Sequence, residues 1–212
     1  MDHVTTWVFD LDNTLYAPSA RLFDQIEARV TDWVMQKLRV TEAEADRLRS
    51  DYWHQYGATL SGLMERHSVD PHDYLAHVHD ISLSGLSVDT ALAGAIRALP
   101  GRKLVFTNGS RRHAERVTEA RGLSGVFDAL YGIEDAGFRP KPERAAFDQI
   151  VSLAGIDPQS AAMFEDDPRN LRAPHDLGMA CVLVGTKAEP APHIHHYTDD
   201  LTGFLAARPR RA

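Results

Sequence analysis

Two carboxylates separated by one residue follow the first apolar run of the chain. The run is Trp7-Val8-Phe9, and Asp10 and Asp12 come directly after it. Because alternate residues of a strand share a face, the loop at its end can turn both carboxylates towards one pocket. Adjacent carboxylates repel each other unless a cation lies between them or one holds a proton. The pair therefore indicates a divalent-metal site or an acid–base pair, with an ordinary turn as the alternative.

Three more polar groups follow later stretches of the chain: Thr107-Asn108-Gly109-Ser110, Arg139-Pro140-Lys141-Pro142 and Glu165-Asp166-Asp167. Backbone N–H groups and a hydroxyl at a helix start form an anion site. Two prolines stiffen the backbone around Lys141, which favours a fixed cation. Three buried adjacent acids need a cation. Taken singly, each group also has a plainer interpretation: an N-cap turn, a surface lysine, and acids favoured at a helix N-terminus.

Strand and helix patterns alternate from about residue 88. Strands are predicted at 103–106, 129–131, 161–164 and 180–184, with helices at 89–99, 111–121, 143–154 and 169–177. We expect a loop at 186–196, a short helix near 201–206, and the strand at 180–184 as the last one. Such alternation predicts an α/β fold with a doubly wound parallel sheet, Rossmann-like, whose ligand lies beyond the carboxyl ends of the strands.

Residues 16–87 show helical patterns and no strand pattern. Apolar residues recur at near-helical spacing in 24–40, and Thr41 with Glu44 matches a capping box for a second helix. A third helix is predicted at 60–67, and Asp70-Pro71 starts a fourth. We therefore predict a helical cap of residues 16–87, inserted after the first strand of a core made of residues 1–15 and 88–212.

Composition sets limits on partners and location. The chain has 212 residues, a net charge of -7 and one cysteine. An acidic protein is not expected to bind nucleic acid, whereas a local positive site remains compatible with a phosphorylated small molecule. No apolar run approaches 18 residues and no signal-peptide pattern is visible, so we expect no membrane association and a cytoplasmic location. The sequence leaves the oligomeric state open.

The four polar groups, in this order at strand ends, resemble the four motifs of the haloacid dehalogenase superfamily. DxDNT stands at Asp10, followed by Thr107, Lys141 and Glu165-Asp166. The helical segment matches the cap that this superfamily places between its first two motifs. A narrower resemblance is to the pyrimidine 5'-nucleotidase branch. It rests on these segments: Phe9 to Tyr16; Tyr56-Gly57 with Leu60 and Gly62-Leu63; Phe106-Thr107-Asn108; Lys141-Pro142 with Phe147; and Glu165-Asp166-Asp167 with Asn170 and Leu171.

The resemblance implies a phosphomonoesterase mechanism. Asp10 is the expected nucleophile, which forms an aspartyl phosphate, and Asp12 the acid and base. Magnesium is the expected cofactor, held by Asp10, the backbone carbonyl of Asp12 and Asp166. Either Glu165 or Asp167 is expected to support the metal or to touch it, and the choice stays open. The phosphoryl oxygens are expected to bind Thr107, the N–H of Asn108, and Lys141, which is also counted as catalytic.

The expected substrate is a small phosphorylated molecule, with nucleoside 5'-monophosphates, pyrimidine ones first, implied by the narrower resemblance. His54 and Tyr56 are candidates for substrate contact from the cap. Asp12 favours phosphate chemistry, because the superfamily's dehalogenases lack an acid two residues after the nucleophile. Alternatives are a phosphatase of sugar phosphates or phosphoglycolate, a phosphomutase, and a catalytically silent binding module.

Overall fold

The apolar run around Val8 forms the central strand of a six-stranded sheet. A computed structural model describes residues 1–185 and 189–208. Its strands are β1 (Thr6–Phe9), β2 (Arg102–Phe106), β3 (Ala129–Tyr131), β4 (Ala161–Glu165), β5 (Ala180–Val184) and β6 (His196–Thr198). The spatial order is β3-β2-β1-β4-β5-β6, and every neighbouring pair is parallel. The predicted doubly wound parallel sheet is confirmed.

Strand register brings the polar groups after three strands to one edge of the sheet. Phe9 of β1 pairs with Val105 of β2 on one side and with Phe164 of β4 on the other. The residues that follow these strands therefore lie side by side. The strand order also reverses beside β1, and doubly wound sheets bind ligands at such a point, outside the carboxyl ends of the strands.

Between β1 and the next core helix, the chain is helical. A short 3₁₀-helix (Pro18–Ala20) precedes α1 (Leu22–Leu38), α2 (Glu42–Tyr56), α3 (Thr59–His67) and α4 (Pro71–Val78). The predicted start of α2 is confirmed, because the Thr41 Oγ1 atom accepts a hydrogen bond from the Glu44 N–H at 3.4 Å. These helices share an apolar cluster that includes Val34, Leu63 and Tyr74. The division into a cap of 16–87 and a core around it stays a prediction.

The remaining helices cover both faces of the sheet. They are α5 (Thr90–Arg97), α6 (Arg111–Ala120), α7 (Arg144–Ala154), α8 (Arg172–Leu177) and α9 (Leu201–Ala206), with 3₁₀-helices at Ile133–Ala136, Pro158–Ser160 and Pro168–Leu171. Val8 and Phe9 belong to different apolar clusters, since successive strand side chains point to opposite faces. Burial on both faces explains why β1 reads as a continuous apolar run.

The prediction that the strand ending at Val184 is the last one is wrong. β6 adds a further parallel strand, in which His196 pairs with Val182 and Thr198 with Val184. His196 and Tyr197 are exposed, so this three-residue strand carries no apolar signal. Part of the predicted loop (186–188) and the end of the predicted core (209–212) lie outside the described residues. Across 1–185 and 189–208, no helix has both the length and the hydropathy needed to cross a bilayer.

Candidate active site

The polar groups that follow β1, β2 and β4 meet Lys141 at one end of a cavity of about 760 Å³. The sheet supplies this end, and the helical segment 16–87 supplies most of the rest. Every site residue predicted in the core lines the cavity, namely Asp10, Asp12, Thr107, Asn108, Lys141 and Asp166. The site residues that are far apart in the chain are therefore brought together by the parallel strand order.

Lys141 is a buried cation between two carboxylates. Its side chain is 1% exposed, and Nζ donates to Asp10 Oδ1 at 2.6 Å, to Glu165 Oε2 at 2.7 Å and to the Phe106 carbonyl at 3.1 Å. Burial alone lowers the pKa of Lys141, but Asp10 and Glu165 outweigh burial and raise it. The ammonium is therefore charged and fixed in position, which excludes the surface-lysine interpretation of this motif.

Asn108 fixes the backbone that carries this lysine. The Asn108 side-chain amide donates to the Lys141 carbonyl at 3.0 Å, and its Oδ1 accepts from the Lys141 N–H at 2.7 Å. Two hydrogen bonds from one side chain define the position of the loop relative to the end of β2. The expected contact of the Asn108 backbone N–H with a phosphoryl group stays a prediction.

Asp10 lies at the centre of the site and is buried. Besides its bond to Lys141, its Oδ2 atom accepts from the Thr14 hydroxyl at 2.9 Å. Burial raises the pKa of Asp10, Lys141 opposes that rise, and the nearby Asp12 adds to it. Each oxygen of the Asp10 carboxylate thus has one protein donor, and each keeps a lone pair for a further partner.

Three carboxylates at this end are close enough to share a cation. One oxygen from each of Asp10, Glu165 and Asp166 lies within 4.8 Å of the others. Burial and the charge of Asp10 raise the pKa of Asp166 to about 6. Oxygen ligands suit a hard divalent cation such as Mg²⁺, and such a cation relieves the repulsion that Lys141 neutralises only in part. The residues present therefore fit the predicted metal.

The acids that flank Asp166 already have partners. Glu165 Oε2 accepts from Lys141, and its Oε1 accepts from the Asn170 amide at 2.9 Å. Asp167 accepts from the backbone N–H of Arg169 and pairs with the guanidinium of Arg169 at 2.6 Å. Asp166 also has hydrogen-bond partners, Asn13 and Glu165. That Asp166 is the acid of this loop that touches a metal therefore stays a prediction.

Asp12 has partners that sequence reasoning missed. Its Oδ1 atom accepts from the Tyr16 hydroxyl at 2.6 Å and from His113 Nε2 at 2.9 Å, and its Oδ2 accepts from the Thr107 hydroxyl at 3.4 Å. Burial raises the pKa of Asp12, but His113 and Tyr16 outweigh it and lower the pKa to about 2. A sequence signal existed, since His113 stands three residues after the N-cap Ser110 and thus in the first turn of α6.

A family model for haloacid dehalogenase-like hydrolases matches residues 4–178, most of the chain. The chain belongs to the haloacid dehalogenase-like hydrolase family. The resemblance to this superfamily is thereby confirmed, while the pyrimidine 5'-nucleotidase branch stays a prediction. In this chain, the four polar groups that carry the resemblance meet at one end of the cavity, beside the edge of the sheet.

Relatives of this hydrolase include two curated proteins and a solved structure. Phosphate metabolism protein 8 of Saccharomyces cerevisiae is 28% identical over 192 residues, which make up 82% of this chain and 60% of that protein. The phosphoglycolate phosphatase of Chromobacterium violaceum is 25% identical over 203 residues, 87% of this chain and 86% of that protein. The 2-haloacid dehalogenase of Pseudomonas syringae pv. Tomato DC3000 aligns with a TM-score of 0.60 at 20% identity, over 95% of this chain and 96% of that one.

These relatives carry unequal weight for this hydrolase. The solved dehalogenase supports the fold alone. The chain spans less than two thirds of the length of the yeast relative, so the activity of that whole protein does not transfer directly. The bacterial phosphatase matches over most of both chains, but at lower identity. The cavity is therefore the better guide to what this hydrolase acts on.

The helical side of the cavity combines apolar, aromatic and charged side chains. Phe23 and Trp53 line it and are about two-fifths exposed, and Arg49 and His54 line it as well. Arg169 from the core lies over the Trp53 ring at 4.4 Å, so the two sides of the cavity touch at this point.

Of the two residues predicted to contact substrate from the cap, the structure places one at the cavity. His54 lines it, whereas Tyr56 packs edge-on against Tyr52, with ring centroids 5.8 Å apart, and is not among the lining residues. Their roles in binding stay predictions. His54 and Tyr56 are only two positions apart on α2, and helical geometry turns them to different sides.

Proposed function

We propose that this protein hydrolyses phosphate monoesters through an aspartyl phosphate formed on Asp10. The observation that carries the proposal is the buried Asp10–Lys141 pair, 2.6 Å apart, with Asp12 beside it at the end of a cavity large enough for an organic ester. A nucleophilic carboxylate held next to a fixed cation suits attack on a phosphoryl group, whose negative charge must be neutralised.

In the first half of the reaction, one Asp10 oxygen attacks phosphorus as the bond from phosphorus to the leaving oxygen breaks. Asp12 protonates the leaving alkoxide. In the second half, Asp12 takes a proton from the water that attacks the aspartyl phosphate, and Asp10 and inorganic phosphate are released. Asp12 is ionised in the free protein, and the negative charge of a bound phosphoryl group raises its pKa towards the protonated form that the first step needs.

Lys141, the Thr107 hydroxyl and the backbone N–H of Asn108 bind the phosphoryl oxygens in this proposal. Lys141 has a fixed position, and Thr107 Oγ1 accepts from the Gly109 N–H at 2.9 Å, which orients the hydroxyl. Phosphoryl transfer depends mainly on positioning and charge neutralisation, so groups held by the protein before the substrate binds lower the barrier directly.

Asp10, Asp166 and the backbone carbonyl of Asp12 are the proposed ligands of Mg²⁺. When bound, Mg²⁺ neutralises negative charge on the phosphoryl oxygens and on the clustered carboxylates. The support is the grouping of Asp10 and Asp166 with Glu165 within 4.8 Å and the raised pKa of Asp166. Phosphate release should stop in excess EDTA and return when Mg²⁺ is added, and an unchanged rate in EDTA contradicts the metal requirement.

Nucleoside 5'-monophosphates, pyrimidine ones first, are the proposed substrates. A cavity of about 760 Å³ holds a group larger than the two-carbon skeleton of phosphoglycolate. Its helical side offers the partly exposed Trp53 ring for apolar contact and the neighbouring His54 for polar contact. The choice of pyrimidines rests on the sequence resemblance to the 5'-nucleotidase branch.

The experiment that tests the function is phosphate release from a panel of esters with and without Mg²⁺. The panel contains UMP, CMP, dTMP, AMP, GMP, phosphoglycolate, sugar phosphates and p-nitrophenyl phosphate. Fastest release from the pyrimidine nucleotides supports the full proposal. Release from phosphoglycolate or sugar phosphates alone keeps the mechanism and rejects the nucleotide assignment. No release from any ester rejects the phosphatase and favours a phosphomutase or a silent binding module.

A further inference from the structure

The two carboxylate oxygens of Asp12 have different surroundings. Oδ1 accepts from the Tyr16 hydroxyl at 2.6 Å and from His113 Nε2 at 2.9 Å. A carboxylate oxygen has two lone pairs, so these two donors occupy those of Oδ1. Oδ2 lies 3.4 Å from the hydroxyl of Thr107, which lines the cavity. Oδ2 is therefore the oxygen that keeps a lone pair for a substrate or a water.

The ring of His113 is held in place from several sides. Its side chain is 0% exposed and lies parallel to the His79 ring, with centroids 4.4 Å apart and an angle of 16° between the planes. The backbone N–H of His113 donates to Ser110 Oγ at 3.1 Å, which fixes the start of α6 from which the ring extends. A Cβ atom on Gly109 would lie 3.1 Å from His113 Cδ2, so glycine there leaves room for the ring. Nε2 thus reaches Asp12 from a fixed position.

Packing alone does not account for a histidine at this position. Within the described residues, His113 Nδ1 is buried and has no hydrogen-bond partner. A buried polar atom without a partner destabilises the fold, because it has lost its hydrogen bonds to water. An apolar ring would fill the same space without this cost. The contact that an apolar ring lacks is the one from Nε2 to Asp12.

We propose that His113 is a positioning residue that, together with Tyr16, orients Asp12 so that Oδ2 exchanges protons with the reacting oxygens. The inference rests on the phosphomonoesterase reaction proposed for this site. The proton passes from Asp12 Oδ2 to the leaving oxygen as the bond from that oxygen to phosphorus breaks and Asp10 bonds to phosphorus. The same oxygen later takes a proton from the attacking water. His113 keeps its Nε2 proton in both steps.

The test compares two esters whose leaving groups differ in their need for a proton. An alkyl phosphate such as UMP leaves as an alkoxide that must be protonated, whereas p-nitrophenolate leaves without protonation. We expect His113→Phe, which keeps a ring in the stack but removes the donor, to lower kcat/KM for UMP by ~10²-fold. The value for p-nitrophenyl phosphate should change by less than about threefold, since no acid is needed there. If UMP is not hydrolysed, the best alkyl phosphate of the panel replaces it.

kcat/KM is the appropriate parameter because it reports the steps up to phosphorylation of Asp10 and is not masked by slow release of phosphate. His113→Gln places an amide donor near the position of Nε2 and should restore a large part of the lost activity on the alkyl ester. His3→Gln, an exposed histidine outside the site, is the matched control and should leave both values unchanged. Equal losses on the two esters would overturn the inference, because a structural defect lowers both.

Tyr16→Phe supplies a second, independent test if the His113 variants fold poorly. It removes the other donor to Oδ1 and keeps the buried ring, so it should show the same dependence on the leaving group. The double variant should lose less than the product of the two single losses, since both act through Asp12. A Tyr16→Phe variant with equal losses on both esters counts against the inference.

Failure of this inference can be distinguished from failure of the proposed function. If the wild type hydrolyses both esters and Asp10→Asn hydrolyses neither, the reaction stands. An unchanged kcat/KM of folded His113→Phe on the alkyl ester then rejects the positioning role alone. Full activity of Asp10→Asn rejects the reaction and, with it, the role of His113.

Discussion

The sheet side of the cavity and the helical segment 16–87 treat charge in opposite ways. On the sheet side, Lys141 pairs with Asp10 and Glu165 at 2.6 and 2.7 Å with side chains that are at most 6% exposed. In the helical segment, outside the cavity lining, Lys37 pairs with Asp73 at 3.2 Å, and both side chains are about half exposed. Buried charges need fixed partners, whereas exposed ones are satisfied by water. The sheet side is therefore built for chemistry in a fixed geometry.

The helical side offers contact surface instead. Phe23 and Trp53 line the cavity and are 42% and 41% exposed. Exposed aromatic side chains next to a cavity suit contact with the organic part of a substrate. We therefore expect substitutions of Asp10 or Lys141 on the sheet side to lower the rate for every ester, and substitutions of residues that line the helical side to change which ester is preferred.

The largest effect is expected from Asp10→Asn. The amide cannot attack phosphorus, so kcat should fall by roughly 10⁴–10⁶-fold for every ester. Phosphate release measures the loss, and circular dichroism checks that the fold is intact. Asp73→Asn, which changes an exposed acid of the helical segment outside the cavity lining, is the matched control and should keep wild-type activity. Substantial turnover by folded Asp10→Asn would show that another group is the nucleophile.

The next largest effect is expected from Lys141→Met. This variant removes a buried cation and leaves two facing carboxylates, so the free energy of unfolding should fall by about 3–5 kcal/mol. Activity should fall by ~10²–10³-fold in any fraction that folds, because a fixed positive charge at the phosphoryl group is lost. Urea unfolding measures the free energy of unfolding, and phosphate release measures the activity.

Lys37→Met is the control for this comparison. Its exposed pair with Asp73 contributes about 0–1 kcal/mol, so both stability and activity should stay close to the wild type. Similar destabilisation by the two lysine substitutions would contradict the contrast between a buried and an exposed ion pair.

Asp166 and His79, the histidine that follows α4, should contribute to the pH dependence of stability with opposite signs. In metal-free protein, the pKa of Asp166 is raised to about 6 by burial and Asp10, so the stability it contributes is lost as pH rises through 6. The pKa of His79 is lowered to about 3 by burial and His113, so its contribution is lost as pH falls below its ordinary value of 6.5.

Urea unfolding in EDTA between pH 5 and 6 measures both contributions. Asp166→Asn should make the free energy of unfolding rise more steeply with pH, and His79→Phe should make it rise less steeply. Each change is at most about 1.4 kcal/mol per pH unit, the value for one proton. If the slope of the free energy of unfolding against pH changes in the same direction in both variants, at least one of the two pKa shifts, of Asp166 or of His79, has the wrong direction.

The smallest effect is expected on substrate preference. His54→Ala should lower kcat/KM for the preferred nucleotide by about three- to tenfold relative to p-nitrophenyl phosphate, the range for one hydrogen bond. Tyr56→Leu, which alters packing against Tyr52 outside the cavity, should lower stability and leave this ratio unchanged. A changed ratio in Tyr56→Leu and an unchanged one in His54→Ala would reverse their predicted roles.

Sequence reasoning was most successful where the backbone alone fixes a side chain. Residues that follow parallel strands lie at one edge of the sheet, so identifying the strands placed Asp10, Thr107 and Asp166 together. It was less successful where the partner of a side chain depends on packing. The sequence indicated no partner for the Asn108 side chain, and the structure shows it bonded twice to the Lys141 backbone.

By itself, the sequence determined the α/β class, the helical segment after the first strand, and the polar groups that meet at one end of the cavity. Local patterns suffice for these features, since strand and helix periods and strand-end carboxylates can be read within short windows. The tertiary structure alone decided that Glu165 pairs with Lys141, that His113 and Tyr16 hold one oxygen of Asp12, and that His54 but not Tyr56 lines the cavity. These contacts depend on distance and direction in space, because burial makes each polar group take whichever partner the fold brings within reach.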